Sequence, residues 1–453
     1  MTDSIATPSP AVARKRLAYL VLGLCWFAIL CDGMDTFVYG AVLPHMLDDE
    51  SFGLDAASAG DVGSLATLGM LIGALAAGPI ADRVGRRWTL IGGVALFSIA
   101  SLICSLAPTV ELFAGARLIA GLGLGGLIPT AISLVIEYAP AHRANLFVAL
   151  LMTAHQAGGI LATALGLAFL GNYGWRFLFL LGALPLIIAV APMIKYLPES
   201  LSFLTARGRT DEAAALAARH GVNLDDIAHE LPPRRAVNSV WHSLRELFEG
   251  RRGITTILFW IASFAGLLLV YGFGTWLPVM MRANGYALGS ALAFLLVVNL
   301  GGIFGFPIAG RIADRIGATK VAVIWFALTC VGILVMSLQM PVAATYAVVF
   351  LTGAALFSAQ TMVYASVAAH SQTDFRATAI GWTSGIGRFG AVFGPWLGGI
   401  LIASGAPKWG FFAYAIAAGV AIVAMLLITQ VDRSRWSSAV PPTGAVPEVA
   451  AAH

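Results

Sequence analysis

Asp32 and Asp35 stand three residues apart inside a long apolar run, and Arg117, His155 and Arg388 interrupt other apolar runs in the same way. An ionisable side chain at bilayer depth costs roughly 3 kcal/mol on insertion scales, so each is a candidate for chemistry. On a helix the spacing of three puts both carboxylates on one face. Two acids held that close and partly desolvated suit the sharing and passing on of a proton. Arg117 stays charged at any accessible pH, so it can tune a neighbouring Asp but release no proton itself. Arg388 carries a planar fork of donors that matches a carboxylate with two parallel bonds. It lies about eleven residues, or ~16 Å, from the nearer end of its run. His155 can take up a proton in the physiological range or hydrogen-bond a ring substituent, with Gln156 beside it. Tyr39, Trp276, Tyr364 and Trp382 offer aromatic faces for stacking. Each also admits a structural role: acids paired with Arg117, an Arg reaching for the interface, a His satisfied by its own bundle, aromatics in packing or an interface belt.

The elements that must position these groups are transmembrane helices. Of 453 residues 59% are hydrophobic and 11% charged, against roughly 25% charged in a soluble domain. Apolar runs of the ~20 residues that cross a bilayer recur along the chain. We place spans near 17–46, 58–81, 88–107, 111–137, 145–170, 175–196, 253–281, 287–310, 319–339, 343–369, 377–403 and 408–430. The sequence thus predicts an all-α membrane protein with two six-helix bundles, 1–196 and 253–432. A polar linker at 197–252, rich enough in Ala, Leu and Glu for short helices, separates them, and a disordered tail occupies 433–453. Arg14, Lys15, Arg16, Arg83, Arg86, Arg87, Arg143, Arg311, Arg315 and Lys320 cluster at alternate loops, whereas Asp48, Asp49, Glu50 and Asp55 stand in the first opposite loop without a Lys or Arg. The positive-inside bias therefore puts both termini, the linker and the tail in the cytoplasm of a bacterial inner membrane. The segment before Leu17 lacks the apolar core and cleavage site of a secretory signal, so the first span should be retained. Cys25, Cys31, Cys104 and Cys330 all fall within spans, with no disulfide framework or metal-ligand spacing. The net charge of +4 is scattered over short loops and does not suggest nucleic acid.

The two bundles repeat. Gly78, Asp82, Arg83 and Gly85 recur as Gly310, Asp314, Arg315 and Gly317 at an offset of 232; Tyr39–Pro44 resembles Phe273–Pro278 at 234; Arg143 corresponds to Arg376 at 233. The same offset of 233 maps Arg388 onto His155, placing two polar groups at equivalent depth in the two halves. Two parallel six-span repeats put a solute site near the midplane between them.

The loop Gly78, Asp82, Arg83, Gly85, Arg86, Arg87 between spans two and three resembles the signature of the major facilitator superfamily, and the resemblance covers almost the whole chain. Within it, Asp32-Gly33-Met34-Asp35 looks like the Asp-Gly-x-Asp motif of the aromatic acid:proton symporters, with Met34 where a larger aromatic is commoner. Pro198-Glu199-Ser200, the Arg117 stretch through Gly126, and Gly385 through Gly390 agree with it. The resemblance implies a major facilitator fold and a monomeric symporter, not an enzyme and with no cofactor. It would import a monocyclic aromatic carboxylate of the benzoate, hydroxybenzoate or gentisate type. Asp32, Asp35 and Arg117 would couple protons, while Arg388, His155, Gln156, Tyr39, Trp276, Tyr364 and Trp382 would meet the solute. Its partners would be that acid, protons and membrane lipid.

Asp82 and Glu137 are acids in a basic setting, placed where Asp82 and Arg86 could pair with Glu137 and Arg143. With Arg83, Asp314, Arg315 and Arg376 they form the candidate gate, a two-state element that alternating access requires. The readings left beside aromatic acid import are a proton-coupled carrier of a nonaromatic organic acid or sugar, or a drug exporter, though Gly158-Gly159 lacks the proline that such exporters carry in span five. The Gly121–Gly126 run has no following Lys-Ser/Thr to hold a nucleotide, so small residues there serve helix packing.

Overall fold

The computed structural model describes residues 10–140, 143–220, 247–248, 252–371, 376–405 and 407–437, which contain helices and no strand. Eleven stretches are long and apolar enough to cross a membrane, and one of them, Leu146–Tyr196, has 51 residues. At 1.5 Å per residue it would reach ~76 Å, over twice a ~30 Å hydrocarbon core. It crosses twice. Gly174 takes φ 73°, which only glycine adopts readily, and breaks the helix there. Trp175 then bonds Asp49 of the first loop, and the chain returns until Tyr196 shares a cleft with Leu17 at the opposite face. Twelve crossings result among the described residues.

Span one is Pro10–Leu47, two Ala56–Val84 and three Arg86–Leu106. Span four is Val110–Leu124 continued by Leu127–Tyr138, five is 144–173, and six is 175–196. Span seven joins Arg252–Leu268 to Gly274–Ala283 through a π-helical turn, Leu269–Phe273. Spans eight to twelve are Leu288–Ile316, Ala318–Met336, Val342–His370, Arg376–Ala403 and Lys408–Ser437. Asp55 caps span two by accepting from Ser58 N–H at 2.7 Å, and Thr109 caps span four. In the polar interval, Leu201–Ala206 and Thr210–His220 are helical, while 221–246 and 249–251 lie outside the described residues. The last helix reaches Ser437, beyond the expected boundary at 432, and 438–453 lie outside the described residues.

The packing repeats as the sequence does. Span one packs on five as seven packs on eleven, two on four as eight on ten, and three on four as nine on ten. Both repeats turn the same corner, with Gly85 at φ 98° and Gly317 at φ 91° closing spans two and eight. The halves meet through spans two and eleven, five and eight, and one and seven; exchanging the halves turns the first set into the second and leaves the third unchanged.

The contact between halves is lopsided along the membrane normal. At the face carrying Asp48 and Asp49, Arg282 of span seven pairs with Asp48 and donates to the Pro44 carbonyl, so the acid read as unbalanced has a cation from the other half. Asp49 has Arg176, of its own half, at 3.5 Å. Gly60 backs onto Gly399, and Ser64 donates to the Val392 carbonyl at 2.8 Å. At the basic face no hydrogen bond or ion pair among the described residues joins the halves, and Gly78, Gly381 and Gly385 have open space around them. Among the described residues, the polar contacts between the halves lie toward the acidic face and not toward the basic one.

Candidate functional site

Span one brings its two acids to the centre because it lies almost against span five. A Cβ on Gly33 would sit 1.9 Å from the backbone oxygen of His155, and one on Gly158 would sit 2.2 Å from that of Leu30. The glycine between the two acids is therefore a packing requirement. Small residues allow such backbone approach, and the approach carries side chains across with it.

The two acids, indistinguishable in the sequence, have different partners. Asp35, 1% exposed, forms an ion pair with Arg117 of span four, itself 3% exposed. That guanidinium lies 5.5 Å from the Tyr39 ring centroid and 5.8 Å from that of Phe179. Asp32 instead places Oδ2 3.2 Å from Nδ1 of His155 on span five. One acid thus faces a permanent cation in a closed aromatic setting, the other a group that can itself gain or lose a proton.

Across the central gap stands Arg388 on span eleven. It is partly exposed and makes no hydrogen bond or ion pair to any described residue. Tyr271, in the π-helical turn of span seven, lies within electrostatic reach of Arg388, of Asp32 and of Tyr364 together. Sequence reading missed Tyr271. Nothing in one sequence announces a π turn, which widens a helix by one residue and commonly marks functional positions. His155 packs on Phe37 at 5.8 Å between centroids, and Phe37 on Phe357 at 6.1 Å, so an aromatic wall spans the two halves. Gln156 is buried close to Phe357 and Gly302, with its Oε1 unpartnered among the described residues. Asn299 on span eight is also buried with an unpartnered Oδ1; as a polar residue in an apolar run it was visible in the sequence and passed over.

Arg388, His155, Gln156 and Tyr364 are thus gathered with Asp32, Tyr271, Phe37 and Phe357. Three expected solute contacts are placed elsewhere. Tyr39 is buried and donates its hydroxyl to the Ala59 carbonyl at 2.7 Å, and Trp276 is buried and donates Nε1–H to the Pro395 carbonyl at 2.8 Å. Their polar tips tie helices together, because a buried donor must find an acceptor. Trp382 stacks on Trp260 at 6.0 Å, six residues, or ~9 Å, from Arg388 toward the basic face.

The charges at the basic face divide similarly. Arg86 pairs with Glu137 at 3.0 Å, and Glu137 also accepts from Ser200 Oγ at 2.7 Å and from Ser202 N–H. Glu199 accepts the Arg87 N–H at 3.1 Å, its carboxylate seated over Gly85, where a Cβ would lie 2.2 Å from Oε2. Arg207 donates to the carbonyls of Asp82 and Arg83. This network ties the loop between spans two and three to the end of span four and to Pro198-Glu199-Ser200, all in one half. The side chains of Asp82 and Arg143 expected in it have no ion pair among the described residues, and neither do Arg83, Asp314, Arg315 or Arg376, all of them exposed.

The sequence profile of the Major Facilitator Superfamily matches residues 25–320 and 297–451. A benzoate transport protein of Acinetobacter baylyi is 33% identical over 90% of this chain and 89% of its own. A gentisate transporter of Corynebacterium glutamicum is 33% identical over 86% and 82%, and a 4-hydroxybenzoate transporter of Pseudomonas aeruginosa 34% identical over 89% and 91%. The inward open structure of a xylose transporter from E. coli superposes with a TM-score of 0.72 over 95% of this chain and 98% of that one, at 18% identity, a likeness of fold.

Proposed function

The chain belongs to the major facilitator superfamily, with the aromatic acid transporters, and from that premise we propose that it imports a monocyclic aromatic carboxylate together with protons by alternating access. The observation that carries this reading is the guanidinium of Arg388, without a hydrogen-bond or ion-pair partner among the described residues, sharing the electrostatic surroundings of Tyr271 with Asp32 of the Asp32–His155 pair. A solute carboxylate would take the Arg388 fork, and its ring would lie along Phe37 and Phe357, where the gap is apolar. Such an acid is an anion at neutral pH, and drawing it toward a negative interior costs about 2.3 kcal/mol per 100 mV. At least one proton must accompany it. We place the proton on the Asp32–His155 pair, a carboxylate beside an imidazole, whereas Asp35 is held by a guanidinium that never discharges. The Asp35–Arg117 pair then fixes span one against span four. On this reading the basic face is cytoplasmic, and a gap open to that face would release solute inward while Asp48–Arg282 closes the far side.

Proteoliposomes holding the purified protein, given an inward proton gradient, should accumulate radiolabelled benzoate, 4-hydroxybenzoate or gentisate, and Asp32→Asn should lose accumulation while retaining counterflow exchange. If no aromatic acid accumulates in vesicles that exchange another solute, the substrate assignment fails. If accumulation is indifferent to a protonophore, the coupling fails.

A further inference from the structure

A second concavity lies away from the solute path, on the outer flank of the first half at the basic face. It is a cleft of about 500 Å³ between the inner ends of spans one and six, the start of span three and the helix Thr210–His220. Five charged side chains line it: Arg87, Lys195 and Arg209, with Glu199 and Glu212. The acids are already committed. Glu212 is held by Arg209 at 2.7 Å from Nε, and Glu199 accepts the backbone N–H groups of Arg87 and Ser200. Two of the three cations are not. Lys195 has no carboxylate partner among the described residues, and Arg87, which donates Nη2 to the Ile194 carbonyl, keeps a buried Nε with no partner among them. After these pairings the cleft has an excess of one positive charge on two neighbouring donors.

Its rim is apolar. Leu20, Val84, Trp88 and Tyr196 are between 40% and 50% exposed, and the Trp88 and Tyr196 rings lie beside Arg87 and Lys195, at 5.3 and 5.1 Å from the charged groups. Exposed Trp and Tyr next to cations is the composition of a headgroup-level belt, and basic pockets between helices at such depth bind anionic headgroups. We propose that this cleft is a binding site for one anionic phospholipid, its phosphodiester on Arg87 and Lys195 and its acyl chains along Leu20, Val84 and Trp88. The lipid would bridge span six to span three, beside the Glu199–Gly85 contact.

The test counts lipid retained by the purified, delipidated protein in native mass spectrometry after adding phosphatidylglycerol or phosphatidylcholine. Wild type should keep one phosphatidylglycerol and no phosphatidylcholine at equal concentration. Lys195→Gln, which removes no hydrogen bond or ion pair between described residues, should weaken retention about fivefold, and addition of Arg87→Gln by about as much again. Lys195→Arg should restore it. Because Arg87 also supports the Ile194 carbonyl, the double variant is read only alongside an unchanged unfolding temperature of the lipid-free protein; Lys195→Gln stands alone otherwise. Undiminished retention by Lys195→Gln, or equal retention of the zwitterionic lipid, overturns the proposal. Displacement by millimolar inorganic phosphate overturns it too, since that would mark a site for soluble anions.

Discussion

Gly33→Ala tests the site with a single methyl group. A Cβ there would lie 1.9 Å from the His155 carbonyl oxygen and 2.7 Å from its carbon, where an unstrained C···O contact needs about 3.3 Å. Spans one and five must separate by about 1.4 Å to admit it, since both atoms in collision are backbone or fixed to it. The Asp32–His155 contact, 3.2 Å in the structure, would open to about 4.6 Å, beyond hydrogen-bond reach. Overpacking of this kind costs about 1–3 kcal/mol, and a loss of that size at the proton contact would lower gradient-driven uptake about 5- to 150-fold. Gly23→Ala is the matched control: the same span, the same methyl, and nothing within 4 Å of the added atom. It gains about 1 kcal/mol of helix propensity and should transport normally. Uptake of labelled 4-hydroxybenzoate into proteoliposomes, with thermal unfolding of each variant, decides the matter. Wild-type transport by Gly33→Ala would refute the close contact or its need.

Arg388→Ala should raise KM for an aromatic carboxylate about 10- to 150-fold, the loss of a charge-assisted hydrogen bond worth about 1.5–3 kcal/mol, and Arg388→Lys should recover only part because the fork is gone; initial-rate uptake measures both. Asp35→Asn, which leaves the Arg117 charge buried without its partner, should destabilise the protein by about 3–5 kcal/mol. Asp35→Asn with Arg117→Met should regain much of that loss in thermal unfolding, whereas a proton-relay role for Asp35 predicts no transport in either. At the acidic face, the Ser51 hydroxyl and then the Trp175 indole N–H hold the Asp49 carboxyl below its usual range. Its contribution to stability is thus full above the ordinary carboxylate pKa and lost as pH falls through the lowered value. Trp175→Phe should flatten that acid limb in unfolding scans between pH 5 and pH 2.

The fold was legible because its determinants are local and repeated: runs of apolar residues, alternating loop charge, and an offset of 232 to 234 between halves. Even the crossing hidden in the 51-residue stretch was marked by Gly174 between two apolar runs. The site was legible where a residue was costly in its own span, as with Asp32, Asp35, Arg117 and Arg388. It was not legible where the answer depended on a partner from elsewhere. Asp32 and Asp35 look alike until span five supplies His155 to one and span four supplies Arg117 to the other. Aromatic candidates read poorly for the same reason: Tyr39 and Trp276 have the right chemistry, but Ala59 and Pro395 carbonyls already occupy their donors.

Where Gly60 faces Gly399, the halves touch backbone to backbone, with no side chains to interlock. Dispersion between such surfaces fades by a quarter to a half over a gap of about 0.5–1 Å. That contact therefore grips while shut and resists little once ajar, a latch and not a spring. Past the first ångström, the longer-range Asp48–Arg282 attraction is what still draws the two halves together at the acidic face.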